Sequence, residues 1–198
     1  MKRRVTTRGE LERVALDLFI ERGFEATTVD DIAAAAGIGR RTFFRYFASK
    51  NDVVWGEFEA LLADMEAWLD AVDDEVPLWT AVARAVVRFN SLPPEAMAAH
   101  RERMELILHI PALQAHSTLQ YAEWRRVVAA FAARRLGCGP ADLEAQLGGH
   151  LALGTAVAAY ETWLADPASD LPSLLDSAFA QAGTVPSTYR ATDGGDPT

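Results

Sequence analysis

The amino-acid sequence predicts an all-α protein of about nine helices, and three observations predict it. Apolar residues recur at three- and four-residue steps in segment after segment, and no stretch alternates apolar with polar as a half-buried strand would. Glycine, proline and short polar residues stand at the ends of those segments, where helices start and stop. The 198 residues are 50% hydrophobic and 24% charged, which describes a globular chain able to bury a sizeable core.

The first helix is RGELERVALDLFIER, residues 8 to 22, with Leu11, Val14, Ala15, Leu18 and Phe19 on one stripe. Gly23 stops it and Phe24 follows as an apolar anchor. Residues 27 to 50, TTVDDIAAAAGIGRRTFFRYFASK, carry the most information. Thr28 followed by Asp31 opens a second helix with a capping-box pattern, and Val29, Ile32, Ala33 and Ala36 give it a narrow apolar face. Gly37 supplies the left-handed residue that ends it. A third helix runs from Gly39 to about Phe47 and carries Arg40, Arg41 and Arg45 among aromatic residues. Two helices joined by a tight glycine turn, the second loaded with arginine, are the layout of a DNA-reading helix-turn-helix.

Ser49 with Asp52 opens the next helix, expected to run unbroken to about Val72, with Val54, Phe58, Leu61, Leu62, Met65 and Leu69 near one face. Gly56 within it is a weak helix former that marks a close contact or a bend. Further helices are expected over 78–91, 98–109, 112–136, 141–166 and 170–183. Their boundaries are DDEVP at 73–77, LPPEAM at 92–97, the Ile110-Pro111 step and GCGP at 137–140. Residues 2 to 8 read as a basic arm, and 184 to 198 as a disordered tail. The expected organisation is a three-helix DNA-binding domain over 1–48, an effector-binding and dimerisation domain over 49–183, and the tail over 184–198.

The net charge of −9 is not that of a nucleic-acid binder until the chain is divided. Residues 1 to 50 hold ten Lys or Arg against seven Asp or Glu, a net of +3, and the rest hold nine against twenty-one, a net of −12. The basic balance sits where the helix-turn-helix sits. No apolar run is long enough to span a membrane and no export signal is visible, so a cytoplasmic location is expected. The single cysteine, Cys138, forms no internal disulfide. His100, His109, His116 and His150 lack metal-ligand spacing, so no metal and no cofactor are expected. No nucleophile–base pattern or phosphate-cradling glycine loop argues for an enzyme.

Phe19, Gly23, Phe24, Thr27, Thr28, Val29, Ile32, Ala33, Ala36, Gly37, Thr42, Phe43, Tyr46, Phe47, Lys50 and Asp52 fall in one order. In that order the stretch 8–55 resembles the N-terminal domain of TetR-family transcriptional regulators. The resemblance implies a homodimer, a helical ligand-binding domain, and repression at a palindromic operator relieved by a small effector. The runs RRTFFRYFASKNDVVWGEF, HRERMELILHIPALQAHS and YAEWRRVVAAFAARRLG are similar to the regulators associated with mycofactocin gene clusters. That similarity implies a hydrophobic effector of the fatty acyl-CoA type. The competing readings are a lipid carrier or enzyme with an all-α cavity, and a DNA-binding activator without an effector.

Within this frame Arg40 and Arg41, at the start of the recognition helix, are expected to read guanine, with Thr42 and Phe44 beside them on the outward face. Phe44 stands where the family commonly has tyrosine, so a thymine methyl is the contact suggested for it; Gly39 replaces the usual Ser or Thr cap. Tyr46 and Lys50 resemble the family's backbone clamps, Thr28 adds a donor at a helix N-terminus, and Arg45 takes either role. Effector contacts are expected from Trp68, Phe89, Met104, Ile107, Leu108, Leu113, Tyr121 and Trp124, with Arg103 suited to coenzyme A phosphates. The small residues Gly148, Gly149, Ala152, Gly154, Ala156, Ala158 and Ala159 suggest a two-fold four-helix interface made by 141–166 and 170–183 of each subunit.

Overall fold

The computed structural model describes residues 7–184. Apart from Thr7 and Arg8, the basic arm lies outside them, as does the tail beyond Thr184. Among the described residues the architecture is all-α, with ten helices, one short 3-10 turn and no strand. The helices are α1 (Arg8–Arg22), α2 (Val29–Ala36), α3 (Arg40–Tyr46), α4 (Lys50–Val53), α5 (Phe58–Ala71), α6 (Leu78–Phe89), α7 (Met97–His109), α8 (Pro111–Leu136), α9 (Leu143–Ala165) and α10 (Leu171–Ala182). The 3-10 turn, Pro94–Ala96, leads into α7.

The chain divides into two compact units that do not follow its linear order. The first takes the chain up to Phe58 together with Pro93–Thr118, and the second takes Glu59–Leu92 and the chain from Leu119 on. The core of the first unit draws on α1 (Leu11, Ala15, Leu18, Phe19), α2 (Ile32, Ala36), Phe43 and Phe47 around α3, and Val53 and Val54 around α4. It also takes Ile107 from α7 and Leu113 from the first turn of α8. The rings of Phe19 and Phe24 lie 4.9 Å apart, and fully buried Thr27 donates its hydroxyl to the Gly23 carbonyl at 2.8 Å. Buried hydroxyls need such a partner, and this one pins the loop between α1 and α2.

Local rules account for several helix ends in this unit. Thr7 with Glu10 and Thr28 with Asp31 both form complete capping boxes. Gly37 ends α2 at φ 70°, ψ 29°, the left-handed geometry expected of it. Gly39 begins α3 without any side-chain cap. The capping box expected from Ser49 with Asp52 does not form, because the Ser49 hydroxyl donates to the Asp52 carboxylate at 2.7 Å and caps no backbone N–H of α4.

The unbroken helix expected from Ser49 to Val72 is absent; a turn separates α4 from α5. Gly56 takes φ +51° there, and its carbonyl accepts a hydrogen bond from Arg8 Nη2 at 2.7 Å. A Cβ on Gly56 would lie 2.8 Å from Glu12 Oε1 and 2.9 Å from Arg103 Nη1, so any other residue must displace that pair as well as adopt the left-handed backbone. The apolar periodicity of 53–69 continues through the break, which is why the sequence reads as one helix.

In the second unit α9 and α10 pack closely, with Ala152, Ala156, Ala159, Tyr160 and Trp163 of α9 buried, and Leu171, Leu175 and Phe179 of α10. Trp79 of α6 donates its indole N–H to the Phe179 carbonyl at 2.9 Å. The buried Tyr160 hydroxyl donates to Asn90 Oδ1 at 2.5 Å, while Asn90 Nδ2 donates to Val86 at 2.8 Å. Gly149 brings α9 against α8 so closely that a Cβ would meet the Arg125 carbonyl oxygen at 2.8 Å. No helix among the described residues is long and apolar enough to cross a membrane.

Candidate nucleic-acid interface

Helix α3 has two faces set by its sequence. Phe43 is buried, as is Phe47 just beyond its end, while Arg40, Arg41, Phe44 and Arg45 are exposed. By the helical period 41 and 45 lie on the side away from Phe43 and Phe47, while 40 and 44 flank the buried face. Arg40 Nη1 lies 2.9 Å from Asp30 Oδ2 at the start of α2, and its guanidinium stands 5.3 Å from the centroid of the Phe44 ring. Phe44 is 44% exposed, so its large apolar ring is not part of the core. Among the described residues Arg41 has no hydrogen-bond or ion-pair partner. Half-buried Thr42 donates its backbone N–H to Gly39 at 2.8 Å, within the first turn of α3. Arg45 donates to the Tyr46 hydroxyl at 3.3 Å and lies over its ring.

Two of the expected phosphate contacts are engaged inside the protein. Lys50 Nζ donates to the carbonyls of Phe24 at 2.8 Å and Thr27 at 3.1 Å, and stands 4.2 Å from the Phe24 ring centroid. The Thr28 backbone N–H donates to Asp31 Oδ2 at 2.9 Å. The Thr28 hydroxyl and backbone bonds to Asp31 hold that carboxyl below the usual aspartate range.

The nine expected effector residues divide between the two units. Arg103, Met104, Ile107, Leu108 and Leu113 belong to the first. There Ile107 and Leu113 are core, Met104 and Leu108 pack against that core, and Arg103 pairs with Glu12 of α1. Trp68, Phe89, Tyr121 and Trp124 belong to the second, where Trp124 is buried and the other three are half-buried.

Glu12 and the pair Asp52–His116 stood outside the sequence expectations, whereas the close contact or bend expected at Gly56 is present. Glu12 is buried, and burial is the largest influence on its carboxyl, pushing its pKa above the usual glutamate value against the opposing pull of Arg103 and then Arg8. His116 Nε2 of α8 lies 2.9 Å from Asp52 Oδ1 of α4, which also accepts from Ser49 Oγ through its second oxygen at 2.7 Å. A signal for Glu12 was present: it falls on the buried stripe of α1, one helical turn before Leu16 and two before Phe19.

Residues 13–54 match the model of the bacterial regulatory proteins of the tetR family, and 76–185 match the MftR C-terminal domain. The second match alone spans more than half of the chain. The chain belongs to the TetR family of transcriptional regulators. It is 44% identical over 182 residues, 92% of each chain, to a Mycobacterium tuberculosis protein named as the mycofactocin biosynthesis transcriptional regulator MftR. The HTH-type transcriptional regulator TcmR of Streptomyces glaucescens is 36% identical over 66% of this chain and 61% of its own. Among solved structures, FadR of Bacillus subtilis in complex with stearoyl-CoA shares the fold at a TM-score of 0.64 and 16% identity, over 89% of this chain and 97% of its own. Thermus thermophilus FadR in complex with lauroyl-CoA does so at 0.54 and 22%, over 89% and 93%. This TetR-type regulator thus carries its DNA-binding helices in the net-basic part of an otherwise acidic chain.

Proposed function

We infer that this regulator is a homodimeric repressor of a mycofactocin-type gene cluster, released from a palindromic operator by a fatty acyl-CoA. The observation that carries this reading is the 44% identity maintained over 92% of both chains with the mycofactocin regulator. Arg41 is the residue best placed to read a base, because it is exposed and uncommitted among the described residues. Arg40 exchanges Asp30 for DNA, and Phe44 supports it by stacking. An Arg bidentate to guanine gives about 1–3 kcal/mol of discrimination. Lys50 and Thr28 serve the interface by fixing the loop and the first turn of α2, with Tyr46 contacting the backbone.

The dimer forms through α9 and α10. Leu143, Leu147 and Leu151 stand one turn apart on α9 and are 69%, 48% and 59% exposed, an apolar stripe beside the open face of Gly154. Its two-fold axis sets the recognition helices about 34–36 Å apart to enter successive major grooves. An acyl-CoA that binds a different spacing more tightly lowers operator affinity by linkage.

The test is a gel-shift titration of the protein on the promoter DNA of its own gene cluster, with and without stearoyl-CoA. Retardation that stearoyl-CoA reverses supports the reading. Specific binding that no acyl-CoA alters indicates an effector-free regulator, and no specific retardation at low salt refutes operator binding at that promoter. L147E/L151E in sedimentation should give a folded monomer; a persistent dimer places the interface elsewhere.

A further inference from the structure

We propose that Glu12 and Arg103 are positioning residues for DNA binding: their ion pair, closed over Gly56, fixes the segment 93–118 to the helix that carries the helix-turn-helix. The proposal rests on the DNA-binding activity of the family and on neither the operator nor the effector suggested above.

Residues 76–185 are one domain by sequence, yet 93–118 leave that domain and pack into the first unit. The segment is covalently joined to the second unit at both ends, at Leu92–Pro93 and at Thr118–Leu119. Within the first unit, two polar contacts and an apolar one hold the segment to α1 and α4. Arg103 of α7 pairs with Glu12 of α1, and His116 of α8 meets Asp52 of α4 at 2.9 Å. Between them Ile107 and Leu113 enter the same core as Phe19, Phe43 and Phe47.

The Glu12 pair is the more exacting of the two polar contacts. Its side chains are only 11% and 26% exposed, so neither charge is screened well by water. Gly56 lacks the Cβ that would part them, and its carbonyl is bound by Arg8, whose guanidinium lies 4.8 Å from the Phe47 ring centroid. Helix α1, the α4–α5 turn, the end of α3 and α7 therefore meet at one cluster. Apolar packing lets helices slide by fractions of a turn, whereas a buried ion pair admits one register. That register sets where α1 holds α2 and α3.

The experiment uses the full-length protein and a DNA duplex that the wild type itself selects from a random pool, with affinity measured by fluorescence anisotropy. The variants are R103M, R103K, E12Q, the apolar pair E12L/R103M, and R84M on exposed Arg84 of α6 as a control for lost charge. R103M should weaken DNA binding at least tenfold and R103K should recover most of that loss. E12Q should weaken it three- to tenfold, and R84M should stay within twofold of wild type. E12L/R103M separates positioning from stability, because well-packed apolar replacements of buried pairs commonly keep the fold. It should melt at or near the wild-type temperature and still bind at least tenfold more weakly. The proposal is overturned if folded E12L/R103M or folded R103M binds within twofold of wild type. Should neither fold, wild-type affinity in E12Q overturns it.

Discussion

Replacing Gly56 by alanine asks two separate things of the structure, and a second glycine isolates one of them. Gly56 has φ +51° and Gly137, which ends α8, has φ +69°. An alanine Cβ at either position meets the left-handed backbone penalty, roughly 1–2 kcal/mol. At Gly137 nothing lies within 4 Å of that Cβ, so G137A should cost about 1 kcal/mol once the stiffer unfolded chain offsets part of the penalty. At Gly56 the Cβ would sit 2.8 and 2.9 Å from the two carboxylate oxygens of Glu12 and 2.9 Å from Arg103 Nη1. These are side-chain ends, which could swing aside on a surface, but here moving them opens a largely buried ion pair. Breaking such a pair costs about 3–5 kcal/mol, and partial displacement less. G56A should therefore be less stable than G137A by about 2 kcal/mol or more, measured by urea unfolding with linear extrapolation. The excess should vanish in an E12A background, where the space is vacated. Equal costs for the two glycine variants, within about 0.5 kcal/mol, would refute the claim that the ion pair closes over Gly56.

Three more predictions follow from other sites. G149A should destabilise by about 1–3 kcal/mol through contact with the Arg125 carbonyl, whereas G154A, with nothing within 4 Å, should stabilise an isolated subunit by about 0.5–1 kcal/mol and weaken the dimer; calorimetry and sedimentation read the two effects, and a G154A dimer as tight as wild type argues against that face. Burial, aided by the Arg103 charge, lowers His100 from 6.5 to about 4, so the unfolded chain binds the extra proton between those values. That contribution is present above pH 6.5 and is lost as pH falls to 4, about 3 kcal/mol from 1.36 kcal/mol per pKa unit. Glu12, shifted the other way, acts with the opposite sign: its contribution is full below 4.5 and is lost as pH rises through its raised value. Stability–pH curves should lose the first slope in H100Q and the second in E12Q, and unchanged curves would contradict the assignments. Finally, R41A should relax discrimination at one operator base pair, while K50A should lower stability through its lost carbonyl bonds and leave the salt slope of DNA binding nearly unchanged. A slope shallower by about one unit in K50A would show a direct phosphate contact instead.

The legible parts of the fold were those decided within a few residues. Thr28 and Asp31 cap α2 because a hydroxyl and a carboxylate three residues apart reach the orphan N–H groups of one turn. Gly37 ends it because the next residue must be left-handed. The outward positions of Arg41 and Arg45 on α3 follow from the helical period once Phe43 and Phe47 are core. The candidate site was less legible where a side chain had a choice of partners. Lys50 has the charge for a phosphate, and only the position of the 24–27 loop turns it toward the Phe24 and Thr27 carbonyls. Ile107 and Leu113 have the apolar character of pocket residues, but α7 and α8 deliver them to the core under the helix-turn-helix.

By itself, then, the sequence determined the all-α class, most of the helix ends, the place of the DNA-reading helix and the family, because caps, turns and periodicity act over distances shorter than a helix. Gly56 marked a close contact or a bend in the sequence, but tertiary structure decided that the helix from Ser49 breaks there, that Arg103 answers Glu12 some ninety positions away, and that 93–118 pack with the first unit. Those outcomes rest on steric exclusion and on charges removed from water. Both depend on which segments meet in space, and no local pattern encodes that.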